Sequence, residues 1–142
     1  MNPNPAFWAR IHGGATHFPI ALLAVSVLFD HAGFWWPDEG RCREFRAVGF
    51  YSLFVAAAAA PAAVVSGIAL SKGTLMGSGL LALHHYFVWP AFGLLTGLAV
   101  WRLVVRERAS RRARGCYLAL ASLTLAAMMT AGYWGGEMII GK

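Results

Sequence analysis

The stretch FPIALLAVSVLF, residues 18–29, contains no charged side chain and lies within a longer apolar segment. An α-helix needs about 20 predominantly apolar residues to cross the hydrocarbon core of a bilayer. Extended to that length, the segment predicts a transmembrane helix over about residues 16–36. Three further apolar segments predict helices over about residues 47–71, 79–105 and 115–140. The sequence therefore predicts an all-α polytopic membrane protein, a four-helix transmembrane bundle forming a single domain over residues 1–142.

The overall composition supports this class. Of the 142 residues, 58% are hydrophobic and 13% are charged, whereas soluble domains carry about 25% charged residues. A disordered chain is excluded, and a soluble domain is disfavoured. The two cysteines, Cys42 and Cys116, form neither a CxxC nor a CxxCH motif, so a zinc ribbon and covalently attached c-type haem have no support.

The basic residues lie between the apolar segments and predict the orientation of the chain. Positively charged loops face the cytoplasm, so the net charge of +6 indicates membrane topology rather than nucleic-acid binding. We expect the bacterial inner (cytoplasmic) membrane, with both termini periplasmic. Asp30 and His31 are expected where the first span meets water. The residues predicted to be cytoplasmic are Arg41, Arg43, Arg46, Arg102, Arg106, Arg108, Arg111, Arg112 and Arg114, against Arg10, Lys72 and Lys142 elsewhere.

Small residues and one proline predict how the helices pack. Gly93 and Gly97 form a GxxxG pair, and Ala56–Ala60 form a continuous alanine run. Such residues let helix backbones approach closely, and the GxxxG pair also favours self-association. Pro61 predicts a kink in the second helix.

The histidines converge on the end of the bundle opposite the arginines. His17 lies about 20 Å above the inner interface at 1.5 Å per residue, and His85 about 25 Å above it. Glu137 lies about 30 Å above that interface, and His12 is expected just outside the first helix. Because ionisable groups are costly inside a membrane, their convergence predicts a functional site.

Three kinds of chemistry fit this convergence. A haem b needs one or two imidazole ligands from facing helices, which predicts His17 with His84 or His85 as iron ligands and Arg10 as a propionate partner. A copper or zinc site would need histidines and Glu137 from several helices. A quinone site would use a histidine and Glu137 for protons, with the ring between the aromatic side chains of Phe87, Trp89 and Trp134.

Structural roles stay open for several of these residues. His12 and His31 also fit polar positions at the membrane interface. Adjacent residues on a helix point about 100° apart, so at most one of His84 and His85 faces a given partner. Glu137 also fits a residue that faces water near the chain end.

Three motifs carry a resemblance to a known family. The opening HGGATHFPIALL, the segment LALHHYF and the closing GYWGGEMI resemble the bacterial membrane family called domain of unknown function 2231, over essentially the whole chain. Its His-x4-His-Phe-Pro opening matches His12, His17, Phe18 and Pro19. Its closing Gly-Trp-x-Gly-Gly-Glu matches Gly135, Gly136 and Glu137, although here Trp134 follows a tyrosine.

The resemblance implies a redox context, because similar domains occur beside or fused to periplasmic c-type cytochromes and quinoprotein-type dehydrogenases. Together the observations predict a membrane electron-transfer subunit that binds haem b and relays electrons between a periplasmic cytochrome or dehydrogenase and quinone. Such a chain is an accessory or electron-transfer subunit rather than a stand-alone enzyme. A non-catalytic anchor or assembly subunit, and a quinone- or metal-binding protein without haem, stay open as alternatives. We expect other membrane subunits or further copies of the chain as neighbours in the bilayer.

Overall fold

The computed structural model describes residues 4–105 and 108–140 and contains four long helices within them. They are α1 (Pro5–Trp35), α2 (Glu39–Leu70), α3 (Gly79–Val105) and α4 (Arg111–Ile140). All four are long and apolar enough to cross a membrane. The predicted all-α, four-helix membrane fold is confirmed. Arg106 and Lys142, which we counted among the basic residues that set the topology, lie outside the described residues.

Three helices begin earlier than their apolar segments, because polar residues start them. Asn4 caps α1, its side chain accepting a hydrogen bond from the Ala6 amide at 3.0 Å, and Pro5 occupies the first turn. Asp38 caps α2, accepting from the Arg41 amide at 2.8 Å. Such caps satisfy backbone N–H groups that have no partner within the helix. The helices therefore extend beyond the stretch that hydropathy marks.

The core lies where the four helices meet, and α1 packs most extensively against α2 while α3 packs against α4. Ala56 and Ala60 are buried in this core, as the alanine run predicted. Pro61 lies on an exposed face of α2, and the helix continues through it. The buried apolar cluster comprises Leu23, Leu53, Ala56, Ala60, Leu95, Leu98, Ala99, Tyr117, Leu118 and Ala121.

Gly93 and Gly97 do not pack against a helix of the same chain. Both are exposed, and a Cβ atom built on either would have nothing within 4 Å. The expectation that this pair brings helices of the bundle together is therefore wrong, and the pair lines the outer surface instead. Large apolar side chains such as Leu28 and Val104 are also exposed, as expected for a surface that faces lipid.

The up-and-down arrangement gives the bundle two polar ends. The start of α1, the end of α2, the start of α3 and the end of α4 meet at one end, where His12 and His84 are in ring contact. We call this the histidine end. At the other end Asp30 of α1 meets Arg102 of α3 and Tyr117 of α4. We call this the arginine end.

Candidate functional site

His12 lies on α1, two turns after Pro5, and its ring faces α2. Its Nδ1 atom lies 3.0 Å from the Ala63 carbonyl oxygen and 3.2 Å from Ser66 Oγ. The Ser66 hydroxyl donates to the Ala62 carbonyl at 2.7 Å, so its oxygen is free to accept from the ring. The expectation that His12 lies outside the first helix is wrong, because the proline start places the residue well inside it.

His84 and His85 lie in the second turn of α3 and contact different neighbours. His84 Nδ1 lies 2.7 Å from the Ala131 carbonyl oxygen of α4. His85 is buried, and its Nδ1 lies 3.0 Å from the Met76 carbonyl oxygen in the connection that precedes α3. The two adjacent side chains are thus bonded to different neighbours, as expected for residues about 100° apart on a helix.

The rings of His12, His84 and His85 form one group, which we call the histidine cluster. The His12 and His84 ring centroids are 6.3 Å apart, with the ring planes at 80°. The His84 and His85 centroids are 5.5 Å apart. These side chains come from α1 and α3, and their hydrogen-bond partners come from α2, α4 and the loop before α3. All four helices therefore build the cluster.

The hydrogen bonds fix the tautomer of each ring in the cluster. A carbonyl oxygen only accepts, so the Nδ1 atoms of His12, His84 and His85 carry the protons. In neutral imidazole the other nitrogen, Nε2, then keeps its lone pair. Within the described residues, no protein hydrogen bond reaches these Nε2 atoms. Metal-binding histidines commonly show this arrangement, with the second ring N–H donated to a backbone carbonyl.

Two glycines give the rings their space. A Cβ atom on Gly67 would lie 2.9 Å from the His12 Cε1 atom, and one on Gly135 would lie 3.3 Å from the His84 Nδ1 atom. A side chain at Gly67 would force the His12 ring to shift, and one at Gly135 would crowd the His84 ring. The closing Gly135–Gly136 pair of the sequence thus has a physical role, since its first member makes room for His84.

The structure does not bring the other predicted site residues into the cluster. His17 is exposed, and its Nδ1 donates to the Gly13 carbonyl of its own helix. Arg10 is exposed, while Trp134 and Glu137 are half-buried. Across residues 4–105 and 108–140, no hydrogen bond or ring contact joins any of these four side chains to the cluster. The predicted pairing of His17 with His84 or His85 stays a prediction, and the structure places His12 beside His84.

The donor set of the cluster suits a haem iron. Within the described parts of the chain, no group of three or more His, Cys, Asp or Glu side chains is arranged to hold a metal ion. A haem brings four nitrogens of its own and needs only one or two imidazoles from the protein. His12 and His84 would be the two that hold it, since they come from different helices and both present Nε2.

The arginine end holds a buried polar network that sequence analysis missed. Asp30 is 5% exposed and forms an ion pair with Arg102, which is 9% exposed. The Tyr117 hydroxyl donates to the same carboxylate oxygen at 2.8 Å and accepts from the guanidinium at 3.0 Å. The guanidinium also donates to the Arg46 carbonyl at 2.9 Å. This network ties α1, α2, α3 and α4 together.

Two expectations about this end are therefore wrong. Asp30 does not mark the water boundary, because the carboxylate is turned inward against Gly49, where a Cβ atom would collide with it. Arg102 is not a loop residue, because it lies inside α3. The sequence did contain a signal, since Arg102 falls within the span predicted over residues 79–105. A charge inside a span requires a partner.

His31 lies one residue further along α1 and is separate from both groups. Its Nε2 atom lies 3.1 Å from Ser122 Oγ on α4. This contact occupies Nε2, the atom without a protein hydrogen-bond partner in the clustered histidines. His31 therefore links α1 to α4.

The fold and the site together define a polytopic helical membrane protein with a histidine cluster at one end of its bundle. The chain belongs to the family described as "Predicted membrane protein (DUF2231)", whose sequence profile matches residues 9–141. The resemblance drawn from the three sequence motifs is thereby confirmed. Comparison with curated proteins and with solved structures gave no match.

Proposed function

We propose that this protein is an electron-transfer subunit that binds haem b at its histidine cluster. The observation that carries the proposal is the pairing of His12 and His84 across two helices, with Nδ1 of each fixed by a backbone carbonyl. Within the described residues, the Nε2 atom of each ring then has no protein hydrogen-bond partner. A bound haem would supply one-electron redox chemistry there.

The contact between the two rings supports a shared ligand, because it brings side chains of α1 and α3 together. The His12 and His84 centroids are 6.3 Å apart. His85 lies against His84 and also contacts the Trp89 ring, with centroids 6.1 Å apart. It therefore links His84 to the Trp89 ring, one turn further along α3.

The location of the cluster supports electron transfer at the periplasmic face of the cytoplasmic membrane. In the orientation set by the arginine residues, the histidine end faces the periplasm. A group held there is within reach of a periplasmic cytochrome or dehydrogenase and of quinone in the outer leaflet. Imidazole binds a metal in its neutral form. The proposed electron path therefore runs between a periplasmic partner and the quinone pool.

A reduced-minus-oxidised visible spectrum of the full chain, purified in detergent after expression with added haem precursor, tests the proposal. We expect the sharp α-band of a six-coordinate b-type haem. His12→Ala and His84→Ala should each abolish that band, because each removes a residue that would hold the haem. The matched controls are His17→Ala, on the exposed face of α1, and His31→Ala, bonded to Ser122 near the other end.

Three outcomes contradict the proposal in different ways. Loss of the band in His17→Ala, with retention in His12→Ala, would restore the ligand pair predicted from sequence. Full haem content in the double variant of His12 and His84 would place the haem elsewhere. A colourless wild-type protein would favour a non-catalytic anchor or a quinone site.

A further inference from the structure

The connection between α2 and α3, residues 71–78, folds back along the first turns of α3. Two of its consecutive carbonyl oxygens accept hydrogen bonds from α3 side chains. The Leu75 carbonyl accepts from Trp89 Nε1 at 2.8 Å, and the Met76 carbonyl accepts from His85 Nδ1 at 3.0 Å. We call residues 71–78 the α2–α3 connection.

Gly77 allows the chain to make this turn. Its φ of 72° lies in the left-handed region, which glycine adopts without steric cost. A Cβ atom built on it would lie 2.6 Å from Leu81 Cδ2, in the first turn of α3. The chain therefore lies directly against the start of this helix.

The bond to Trp89 sets the depth of the connection. Trp89 lies about 15 Å along α3 from Gly79, and its side chain leans back toward the start of the helix by about one turn, about 5 Å. The Leu75 carbonyl therefore lies about 10 Å below the start of α3, toward the arginine end. Counted from Arg102, a hydrocarbon core about 30 Å thick reaches back about 20 residues, to about 5 Å below the start of α3. The Leu75 carbonyl is thus at the depth of the hydrocarbon core.

Backbone at this depth needs partners from the protein. No water is available in the hydrocarbon core, so non-helical backbone is tolerated there only where the protein satisfies its polar groups. Trp89 and His85 donate to the two consecutive carbonyls of Leu75 and Met76. In water, solvent would satisfy the same carbonyls without either side chain.

The side chains of the connection suit the same surroundings. Leu75 is 55% exposed and Met76 is 50% exposed, although their carbonyls are bonded to α3. Residues 73–83 contain no charged side chain and no histidine. Leu80 and Leu83 are also exposed, and they continue the apolar surface onto α3.

We propose that the α2–α3 connection is a re-entrant segment, whose Leu75 and Met76 side chains insert among the acyl chains of the leaflet at the histidine end. The partner of this surface is lipid. Trp89 and His85 hold the segment at its depth by bonding its carbonyls. These roles need no haem, so the proposal does not depend on the proposed function.

Site-directed spin labelling of the full chain in phosphatidylcholine vesicles tests this placement, with both native cysteines replaced by alanine. Nitroxides at Leu75→Cys and Met76→Cys should collide more often with oxygen, which enters the bilayer, than with a water-soluble nickel complex. A label at Leu28→Cys, an exposed position in the middle of α1, gives the lipid reference. A label at Ala6→Cys, exposed in the first turn of α1, gives the aqueous reference at the same end.

Trp89→Phe tests the bond that holds the segment. It keeps an aromatic ring and removes the N–H donor to the Leu75 carbonyl. We expect the label at Leu75 to move toward water by about 5 Å, about one helical turn. Trp134→Phe is the matched control, because Trp134 is half-buried at the same end and its indole has no hydrogen bond within the described residues. An unchanged gel-filtration profile checks that both variants fold.

Three results would overturn the proposal. Labels at Leu75 and Met76 that favour the nickel complex, as at Ala6, would place the connection in water. Few collisions with either reagent would show that protein covers the segment, which would replace lipid by a second copy of the chain. An unchanged depth in Trp89→Phe, or an equal shift in Trp134→Phe, would show that the Trp89 bond does not hold the segment.

Discussion

Replacing Asp30 by Asn tests whether the buried ion pair at the arginine end holds the bundle together. The substitution keeps the shape of the side chain, which matters because the carboxyl group lies against Gly49 with no room to spare. It removes only the negative charge. The guanidinium of Arg102, a residue that is 9% exposed, then loses its counter-ion in an apolar surrounding.

The expected loss in the free energy of unfolding follows from the burial of Asp30 and Arg102. Breaking a buried ion pair by neutralising one member typically costs about 3–5 kcal/mol, because the other charge stays buried without compensation. Here the Tyr117 hydroxyl and the Arg46 carbonyl still bond the guanidinium, so we expect a loss near the lower limit, about 3 kcal/mol. Neutralising both partners in Asp30→Asn with Arg102→Gln should cost less than the sum of the two single changes.

Reversible SDS titration in mixed micelles measures the free energy of unfolding of each variant. Comparing the two single variants with the double variant gives the coupling energy between Asp30 and Arg102. Asp38→Asn is the matched control, because that exposed residue caps α2 and Asn caps a helix about as well as Asp. Costs below about 1 kcal/mol for Asp30→Asn would match an exposed pair. That result, or strict additivity in the double variant, would refute a buried, coupled network.

Three further substitutions give distinct readouts. Gly67→Ala would bring a Cβ within 2.9 Å of the His12 ring, so it should lower haem content in the visible spectrum, while Gly136→Ala, with open space around it, should not. Gly49→Ala should destabilise the bundle by about 1–3 kcal/mol in the same SDS titration, since its Cβ would collide with the buried carboxylate. Tyr117→Phe should cost about 1–3 kcal/mol, because both hydrogen bonds of the hydroxyl are lost; an unchanged midpoint would show that the hydroxyl adds nothing to the network.

Hydropathy was sufficient to predict the four helices, because a bilayer demands long apolar segments whatever their packing. It placed the beginnings of α1, α2 and α4 too late. Those ends depend on capping residues such as Asn4 and Asp38, which carry no apolar signal. Packing was predictable for Ala56 and Ala60, which are buried, and not for Gly93 and Gly97. A small residue permits close approach without specifying which neighbour approaches.

The sequence predicted that histidines gather at one end of the bundle, but not which of them contact each other. His12 and His17 are five residues apart, so on one helix they point about 140° apart. Only one of them can face the bundle. The sequence favoured His17 because it follows the predicted start of the first span. The orientation of His12 depends on α2, where Ala63 and Ser66 bond the ring and Gly67 leaves space for it, and no pattern within α1 contains that information.

The hydrogen bonds at the two polar ends differ in which side-chain atoms they leave without a protein partner. At the arginine end, the Asp30 carboxylate, the Tyr117 hydroxyl and the Arg102 guanidinium satisfy one another. At the histidine end, the His12 and His84 rings each donate Nδ1–H to a backbone carbonyl oxygen. Within the described residues, their Nε2 atoms have no protein hydrogen-bond partner. Polar groups in an apolar bundle are costly unless paired, so the network at the arginine end stabilises the bundle, whereas the remaining ring nitrogens at the histidine end are the atoms on which the proposed haem site depends.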